Sequence, residues 1–264
     1  MTTGSPTLPV HPTRWQAAII ALVRDAGVAR IADLAARLGI SDETVRRHIR
    51  ALVEAGVLTR EHGGVGWAGE AGAPAGEEAP FHRRMRVNAA AKRAIGEAVA
   101  GLVADGQVLL IDTGSTTAYV AQALRRRRDL TVVTNSLEIA RHLVGRNGNR
   151  VYMAGGELRA DLAAAVGPEA LAFIRQFRAD LAILSVAAID DAGQFMDFDL
   201  DEARIARAMI EGAARCLVAA DASKFGHRAA VAIGAVGTLV TDAAPAPPMR
   251  AALEGAGTRV IVAG

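Results

Sequence analysis

The sequence predicts two structural units in series, an N-terminal winged helix-turn-helix and a C-terminal open parallel α/β sheet. Three observations lead there. Short amphipathic helical patterns occupy residues 12–67 and end in a glycine-punctuated extended pair. A stretch rich in Gly, Ala, Pro and Glu follows, without hydrophobic periodicity. Beyond residue 88, short and nearly continuous apolar runs alternate with helix-like segments, the signature of a parallel sheet covered on both faces.

The first helix is expected over Thr13 to Asp25, with Trp15, Ala18, Ile19 and Leu22 on one face and Gly27 as its stop. A second covers Ile31 to Leu38 and is closed by Gly39. Ser41 is a good N-cap for a third, which runs through Thr44 and Val45 to Ala55. Val57–Arg60 and the Gly63-Gly64 turn read as a small β wing. The boundaries predicted are 12–67 for this unit, 68–87 for a linker and 88–264 for the second unit. There, strands are expected at Val108–Ile111, Thr131–Thr134, Val151–Ala154, Leu181–Val186, Cys216–Ala220, Leu239–Thr241 and Arg259–Val262. Helices are expected at Ala118–Leu124, Leu137–Val144, Pro168–Phe177 and Glu202–Ala213.

Composition narrows the class. Of 264 residues, 51% are hydrophobic and 22% charged, enough for a real core and unlike a disordered chain. No apolar run reaches the roughly 18 residues of a membrane span, and a single cysteine, Cys216, fits a reducing cytoplasm. Net charge is only +2, so the distribution of charge must carry any argument about nucleic acid. Of the 30 basic residues only Lys92 and Lys224 are lysines. In so arginine-rich a chain, a retained lysine suggests a place for a compact ammonium.

The segment from Ala29 to His48 follows helix-turn-helix logic. Ile31, Leu34, Ala35, Ile40, Val45 and Ile49 face inward, leaving Ser41, Asp42, Glu43, Thr44, Arg46, Arg47 and Arg50 toward solvent. A recognition helix presents such residues to base edges, where arginine grips guanine with two bonds. Arg60 and His62 on the wing would reach the backbone or minor groove. The arginines alone would favour a solvated protein-docking helix. The turn glycine, the Ser cap and the wing favour double-stranded DNA.

Polar and glycine residues concentrate where an open α/β sheet places its ligands, at the carboxyl ends of the strands. Asp112-Thr113-Gly114-Ser115-Thr116-Thr117 follows a strand and opens a helix, so its amides and hydroxyls could cradle an anion or merely cap the helix. The other ends read Thr134-Asn135-Ser136, Gly155-Gly156-Glu157, Asp221-Ala222-Ser223-Lys224 and Thr241-Asp242. Asp197, Asp199, Asp201 and Glu202 form a further acidic group. Asp199 and Glu202 match a capping box, while Glu202 could also bind hydroxyls, or the group a metal. Several signals are set aside. Gly64–Gly69 fits a dinucleotide fingerprint but lacks the strand-to-helix context. Arg125–Arg128 reads as a solvated run at a helix end, Cys216 as a small buried hydrophobe, Trp15 as core. Histidine and cysteine show no zinc spacing, and no cofactor is expected.

Ile40–Arg47 followed by Gly56–Gly64 resembles the DeoR family of repressors. His48 stands where that family usually has aspartate. From Ile95 onward the chain resembles the family's sensor domain, itself similar to ribose-5-phosphate isomerase, through Ile111–Thr117, Val133–Ser136, Ala154–Leu158 and Asp221–Gly226. The resemblance implies a repressor that is not an enzyme, with Ser115, Thr116 and Thr117 holding a phosphate and Asn135, Glu157 and Lys224 around the rest of the ligand. Phe173–Arg178, Met196–Glu202 and Ser223–Arg228 are most similar to the glycerol-3-phosphate branch, which implies glycerol 3-phosphate as effector. Leu184–Ile189 replaces a more glycine-rich run usual at that strand end. DNA half-sites imply a homo-oligomer. The alternative is an isomerase-like enzyme in which Glu157 or Asp199 with Lys224 supplies the chemistry.

Overall fold

The computed structural model describes residues 13–26, 28–55, 57–61, 64–67 and 79–264. The chain divides into two compact units, Met1–Ala79 and Pro80–Gly264. In the first, α1 (Arg14–Ala26), α2 (Ile31–Leu38) and α3 (Asp42–Glu54) precede a hairpin of β2 (Leu58–Glu61) and β3 (Gly64–Trp67). A two-residue strand, β1 (Val28–Ala29), pairs antiparallel with β3 and completes a three-stranded wing. Ile19, Val23, Leu34, Val45, Ile49, Leu52 and Leu58 form the core. Trp15 is only half-buried and lies under the Arg14 guanidinium, so the α1 core is Ile19 and Val23 rather than Trp15. Gly39 closes α2 in the left-handed region, at φ +66°. The predicted stops Gly27 and Gly56, the wing-tip residues His62 and Gly63, and the linker over 68–78 lie outside the described residues.

The second unit opens with a short helix, α4 (Phe81–Arg84), then α5 (Ala89–Gly101), β4 (Val108–Ile111), α6 (Ser115–Leu124), β5 (Thr131–Thr134), α7 (Leu137–Leu143) and β6 (Arg150–Met153). A hairpin of β7 (Glu157–Arg159) and β8 (Ala164–Val166) precedes α8 (Pro168–Ile174) and β9 (Leu181–Leu184). Next come β10 (Ala188–Ile189), β11 (Phe195–Asp197), α9 (Leu200–Gly212), β12 (Cys216–Ala219), β13 (Val231–Ala232), β14 (Thr238–Thr241), α10 (Pro247–Gly255) and β15 (Arg259–Val262). The main sheet has seven strands, all parallel, ordered β15-β14-β12-β9-β4-β5-β6. A small antiparallel sheet, β10-β11-β13, sits apart from it in hydrogen bonding.

Alternation along each strand feeds two cores. Leu109, Ile111, Val132, Ile183 and Leu217 pack with Ile95, Val99, Val120, Leu124 and Ile139 of α5, α6 and α7. Leu110, Val133, Leu184 and Val218 face the other way, onto Ile174, Ala206, Met209 and Leu253 of α8, α9 and α10. Each buried leucine or isoleucine contributes roughly 1.5–3 kcal/mol, so these two layers hold the sheet and leave its polar strand ends available for a site.

The unit begins earlier than the sequence boundary at residue 88. Phe81, Arg83 and Arg84 are buried, and the Phe81 amide donates to the Asp161 carbonyl at 2.7 Å. Pro80–Val87 therefore packs with the sheet unit instead of belonging to a linker; composition concealed this because its arginines and histidine read as solvated. Cys216 is half-buried rather than buried, accepting from the Gly237 amide at 3.5 Å. Arg125–Arg128 is less free than its charge suggests. Arg126 pairs with Glu97, Arg127 donates twice to the Ala100 carbonyl, and Arg128 pairs with Asp105.

Candidate functional site

In the helix-turn-helix, Ser41 caps α3: its Oγ accepts from the Thr44 amide at 3.3 Å and lies 3.0 Å from Thr44 Oγ1. Both hydroxyls are thus first engaged in starting the helix. Asp42 and Glu43 fill the first turn, where their charge complements the helix dipole. Arg46, Arg47 and Arg50 are exposed while Val45 and Ile49 are buried, so α3 turns a basic face outward from an anchored apolar one. Arg60 lies in β2, paired with Val65.

In the sheet unit, the strand order reverses between β4 and β9. From β4 the chain winds outward to β5 and β6, then returns past β4 to β9 and winds toward β15. The crevice at such a reversal is where open α/β sheets take ligands. Gly114, at φ +155°, ends the β4 turn there. A β-carbon on it would lie 2.6 Å from Ser185 Oγ beyond β9 and 3.1 Å from Thr117 Oγ1. Only glycine fits. Ser115, Thr116 and Thr117 then form the first turn of the ten-residue α6, all buried. Thr117 Oγ1 is spent on the Gly114 carbonyl at 3.0 Å. Ser115 and Thr116 carry the other two hydroxyls of this turn, and both residues are buried.

Asp112 is fully buried at the same turn, and its Oδ1 accepts from the Thr113 amide at 2.7 Å. Burial first, then the nearby Glu202 charge, pushes its carboxyl well above the usual range; the Thr113 amide and the Arg84 charge pull the other way. Asp112, Glu202 and Arg84 are therefore within electrostatic reach of one another. Glu202 is buried in the first turn of α9, where Asp199 Oδ1 caps the Asp201 and Glu202 amides at 2.8 and 3.1 Å. Asp199 also pairs with Arg159. Burial raises the Asp199 pKa, but the Arg159 bond and the two capped amides outweigh it, and the net shift is downward. Asp199 is thus committed to capping and to Arg159.

Thr134, the last residue of β5, and Asn135 and Ser136 just beyond it are fully buried beneath the β7–β8 hairpin. Asn135 Nδ2 donates to the Ala165 carbonyl at 3.2 Å, and Thr134 Oγ1 accepts from the Ser136 amide at 3.0 Å. Asn135 Oδ1 and Ser136 Oγ are buried with no hydrogen-bond partner among the described residues, the cost expected of groups kept for a ligand or water. The hairpin is fastened across the site, since the Thr113 hydroxyl donates to the Leu162 carbonyl at 3.2 Å. Lys224 is buried in the turn Ala222–Lys224 that follows β12.

Gly155, Gly156 and Glu157 stand apart. All three are exposed, and Glu157 opens β7 opposite Val166. From β6 to β12 is four strand spacings, about 19 Å, more than a three-carbon phosphate spans. The buried residues at the ends of β4 and β5 belong to adjacent strands, whereas Glu157 is exposed. Sequence reasoning missed the buried Arg83 and Arg84, while Lys92 and Asp221, named there only as a rare lysine and as part of a strand end, are buried as well. The run His82–Arg86 after Pro80 and the rarity of lysine were the available signals. A cavity of about 350 Å³, lined by Glu97, Ala123, Arg126 and Arg127 among others, lies at the opposite end of α6 and contains none of these groups. Among the described residues no group of His, Cys, Asp and Glu could hold a metal ion, and no helix is long and apolar enough to cross a membrane.

A winged helix-turn-helix joined to an open α/β unit with a recessed polar turn defines a DNA-binding transcription regulator with a separate sensor domain. The chain belongs to the DeoR family: residues 16–70 match the DeoR-like helix-turn-helix domain and residues 87–243 the DeoR C terminal sensor domain. It is 36% identical to the HTH-type transcriptional repressor CsqR of Escherichia coli, over 92% of this chain and 93% of that protein. It is 35% identical to the Glycerol-3-phosphate regulon repressor of Escherichia coli, over 87% of this chain and 89% of that one. The ribose 5-phosphate isomerase of Methanocaldococcus jannaschii overlaps 52% of this chain and 55% of its own at 16% identity, with a TM-score of 0.39.

Proposed function

We propose that this protein is a repressor whose affinity for double-stranded operator DNA is set by a phosphorylated metabolite, glycerol 3-phosphate, bound at the β4–α6 turn. The observation that carries the reading is the Gly114 turn: no β-carbon fits there, and the first turn of α6 offers buried amides and hydroxyls where the strand order reverses. In this reading Gly114, Ser115, Thr116 and Thr117 hold the phosphate, with Asp112 and Thr113 shaping the turn. Asn135 Oδ1 and Ser136 Oγ, buried and unmatched, take ligand hydroxyls; Thr134 orients Ser136. Glu202 and Lys224 close the other side, and Gly155, Gly156 and Glu157 form the rim. Glycerol 3-phosphate is favoured by the relative named for that regulon.

Ser41, Asp42, Glu43, Thr44, Arg46, Arg47 and Arg50 present α3 to the major groove, and Arg60 and His62 extend contact from the wing. A dimer or higher homo-oligomer assembled through the sensor domain would match two half-sites. The relatives' names as repressors, and the commitment of Asp199 to capping, favour regulation over turnover.

The test is fluorescence anisotropy of labelled DNA from the protein's own upstream region, at fixed salt, titrated with glycerol 3-phosphate, glycerol and several sugar phosphates. Release by glycerol 3-phosphate and not by glycerol is expected. Release by another phosphate alone would replace the effector, and conversion of ribose 5-phosphate to a ketose by the same protein would replace the function.

A further inference from the structure

The segment Phe81–Asn88 is fastened to the sensor unit at four points drawn from four parts of the chain. The Phe81 amide bonds the Asp161 carbonyl in the β7–β8 loop at 2.7 Å. The Tyr119 hydroxyl of α6 donates to the Met85 carbonyl at 3.0 Å. Lys92 Nζ on α5 donates to the Arg84 carbonyl at 2.7 Å. Asn88 Nδ2 donates to Asp221 Oδ1 at 3.0 Å, and Asp221 Oδ2 lies 3.8 Å from Lys92 Nζ.

Each fastening lands beside a residue of the effector reading. Leu162, next to Asp161, accepts from Thr113. Tyr119 is in the helix that Ser115, Thr116 and Thr117 begin. Asp221 Oδ1 also accepts from the Ser223 amide at 3.1 Å and from Ser223 Oγ at 2.5 Å, so it shapes the turn that carries Lys224. Residues 80–88 are also the first of this unit in chain order, directly following the helix-turn-helix unit.

We infer that Asn88, Lys92 and Asp221 form a clasp through which occupancy of the strand-end site acts on the segment leading to the DNA-binding unit. Asn88 is then a coupling residue and not a ligand contact. The inference rests on the effector reading above. Lys92 and Asp221 are 5% and 2% exposed, so the loss of hydration opposes their attraction and the hydrogen bonds around them decide the balance. A clasp so poised can be biased by charge arriving nearby, and the Arg84 charge already acts on Asp112 at the site.

The test uses the full chain with Asn88→Gly. Asn88 is exposed and sits at φ +52°, a conformation glycine adopts freely, so the variant removes the donor without backbone strain. Glycerol 3-phosphate affinity by calorimetry and effector-free DNA affinity should stay within about twofold of wild type. The ratio of DNA dissociation constants with and without glycerol 3-phosphate, of order 5–150-fold for a coupled pair of sites, should fall toward one. Amide hydrogen exchange over residues 81–88 should quicken in the effector-free variant. An unchanged ratio, or unchanged exchange, overturns the clasp. A wild-type protein whose DNA affinity ignores every phosphate probe would instead sink the effector reading, and the clasp with it.

Discussion

Gly114 and Ser185 meet across the reversal of strand order, close enough that a β-carbon on Gly114 would lie 2.6 Å from Ser185 Oγ and nearer still to Ser185 Cβ. Two strands distant in sequence are thereby locked at the point where the α6 amides open. Gly114→Ala should overpack this contact at a cost of roughly 1–3 kcal/mol and abolish calorimetric binding of glycerol 3-phosphate while the protein still melts cooperatively. Adding Ser185→Gly removes the opposing Cβ and should recover part of the stability. Recovery of neither stability nor binding would mean that the φ of +155° is the whole constraint.

The strand ends were legible in the sequence because apolar runs stop abruptly at polar residues, and a sheet covered on both faces leaves no other reading. Val108–Ile111, Thr131–Thr134 and Arg259–Val262 are strands with the predicted bounds. The short pieces were not legible. β10, β11 and β13 are two or three residues each, too brief to show a period, and Asp190 rather than sequence pattern fixes their turn by accepting from the Ala192 and Gln194 amides. Arg83 and Arg84 were lost for a different reason. A basic run after a proline reads as solvated, and only tertiary packing reveals that it is buried.

Asp112 makes the stability of the effector-free protein depend on pH in an unusual direction. Its native pKa lies above its unfolded value near 3.8, so the native state binds the extra proton. Stability from this group is greatest in acid and falls as pH rises from about 4 through the raised native pKa. Asp112→Asn removes that slope. Thermal melts across a pH series should show the variant gaining on wild type toward neutral pH, and a variant less stable than wild type at pH 8 would contradict the burial argument.

On α3, Arg50 is four residues from Arg46 and three from Arg47, so the three share one exposed face. If Arg47 reads a base, Arg47→Ala should cost roughly 1–3 kcal/mol on the operator and relax preference at one position. Loss of a phosphate contact at Arg50 should instead weaken operator and scrambled DNA alike and lower the salt slope by about one. Anisotropy on both DNAs across a salt series separates these outcomes. Equal losses on both DNAs for Arg47→Ala would move that residue to the backbone-contact class.

Lys92 and Asp221 decide whether a buried ion pair in this unit is an asset or merely a constraint. At 3.8 Å the attraction is about 4 kcal/mol at an effective dielectric of 20, and the loss of hydration costs several kcal/mol per ion. Summed over both ions, the loss of hydration exceeds the attraction. What remains favourable is the set of hydrogen bonds from Lys92 to the Arg84 carbonyl and from Asn88 and Ser223 to Asp221. Removing one ion alone strands the other, so Lys92→Met should destabilise the protein by roughly 3–5 kcal/mol in denaturant melts. Adding Asp221→Asn to that variant should return part of the loss, because the stranded carboxylate becomes a neutral amide. A double variant less stable than Lys92→Met would mean that Asp221 acts mainly by shaping the Ala222–Lys224 turn, through the Ser223 bonds, and not as the partner of Lys92.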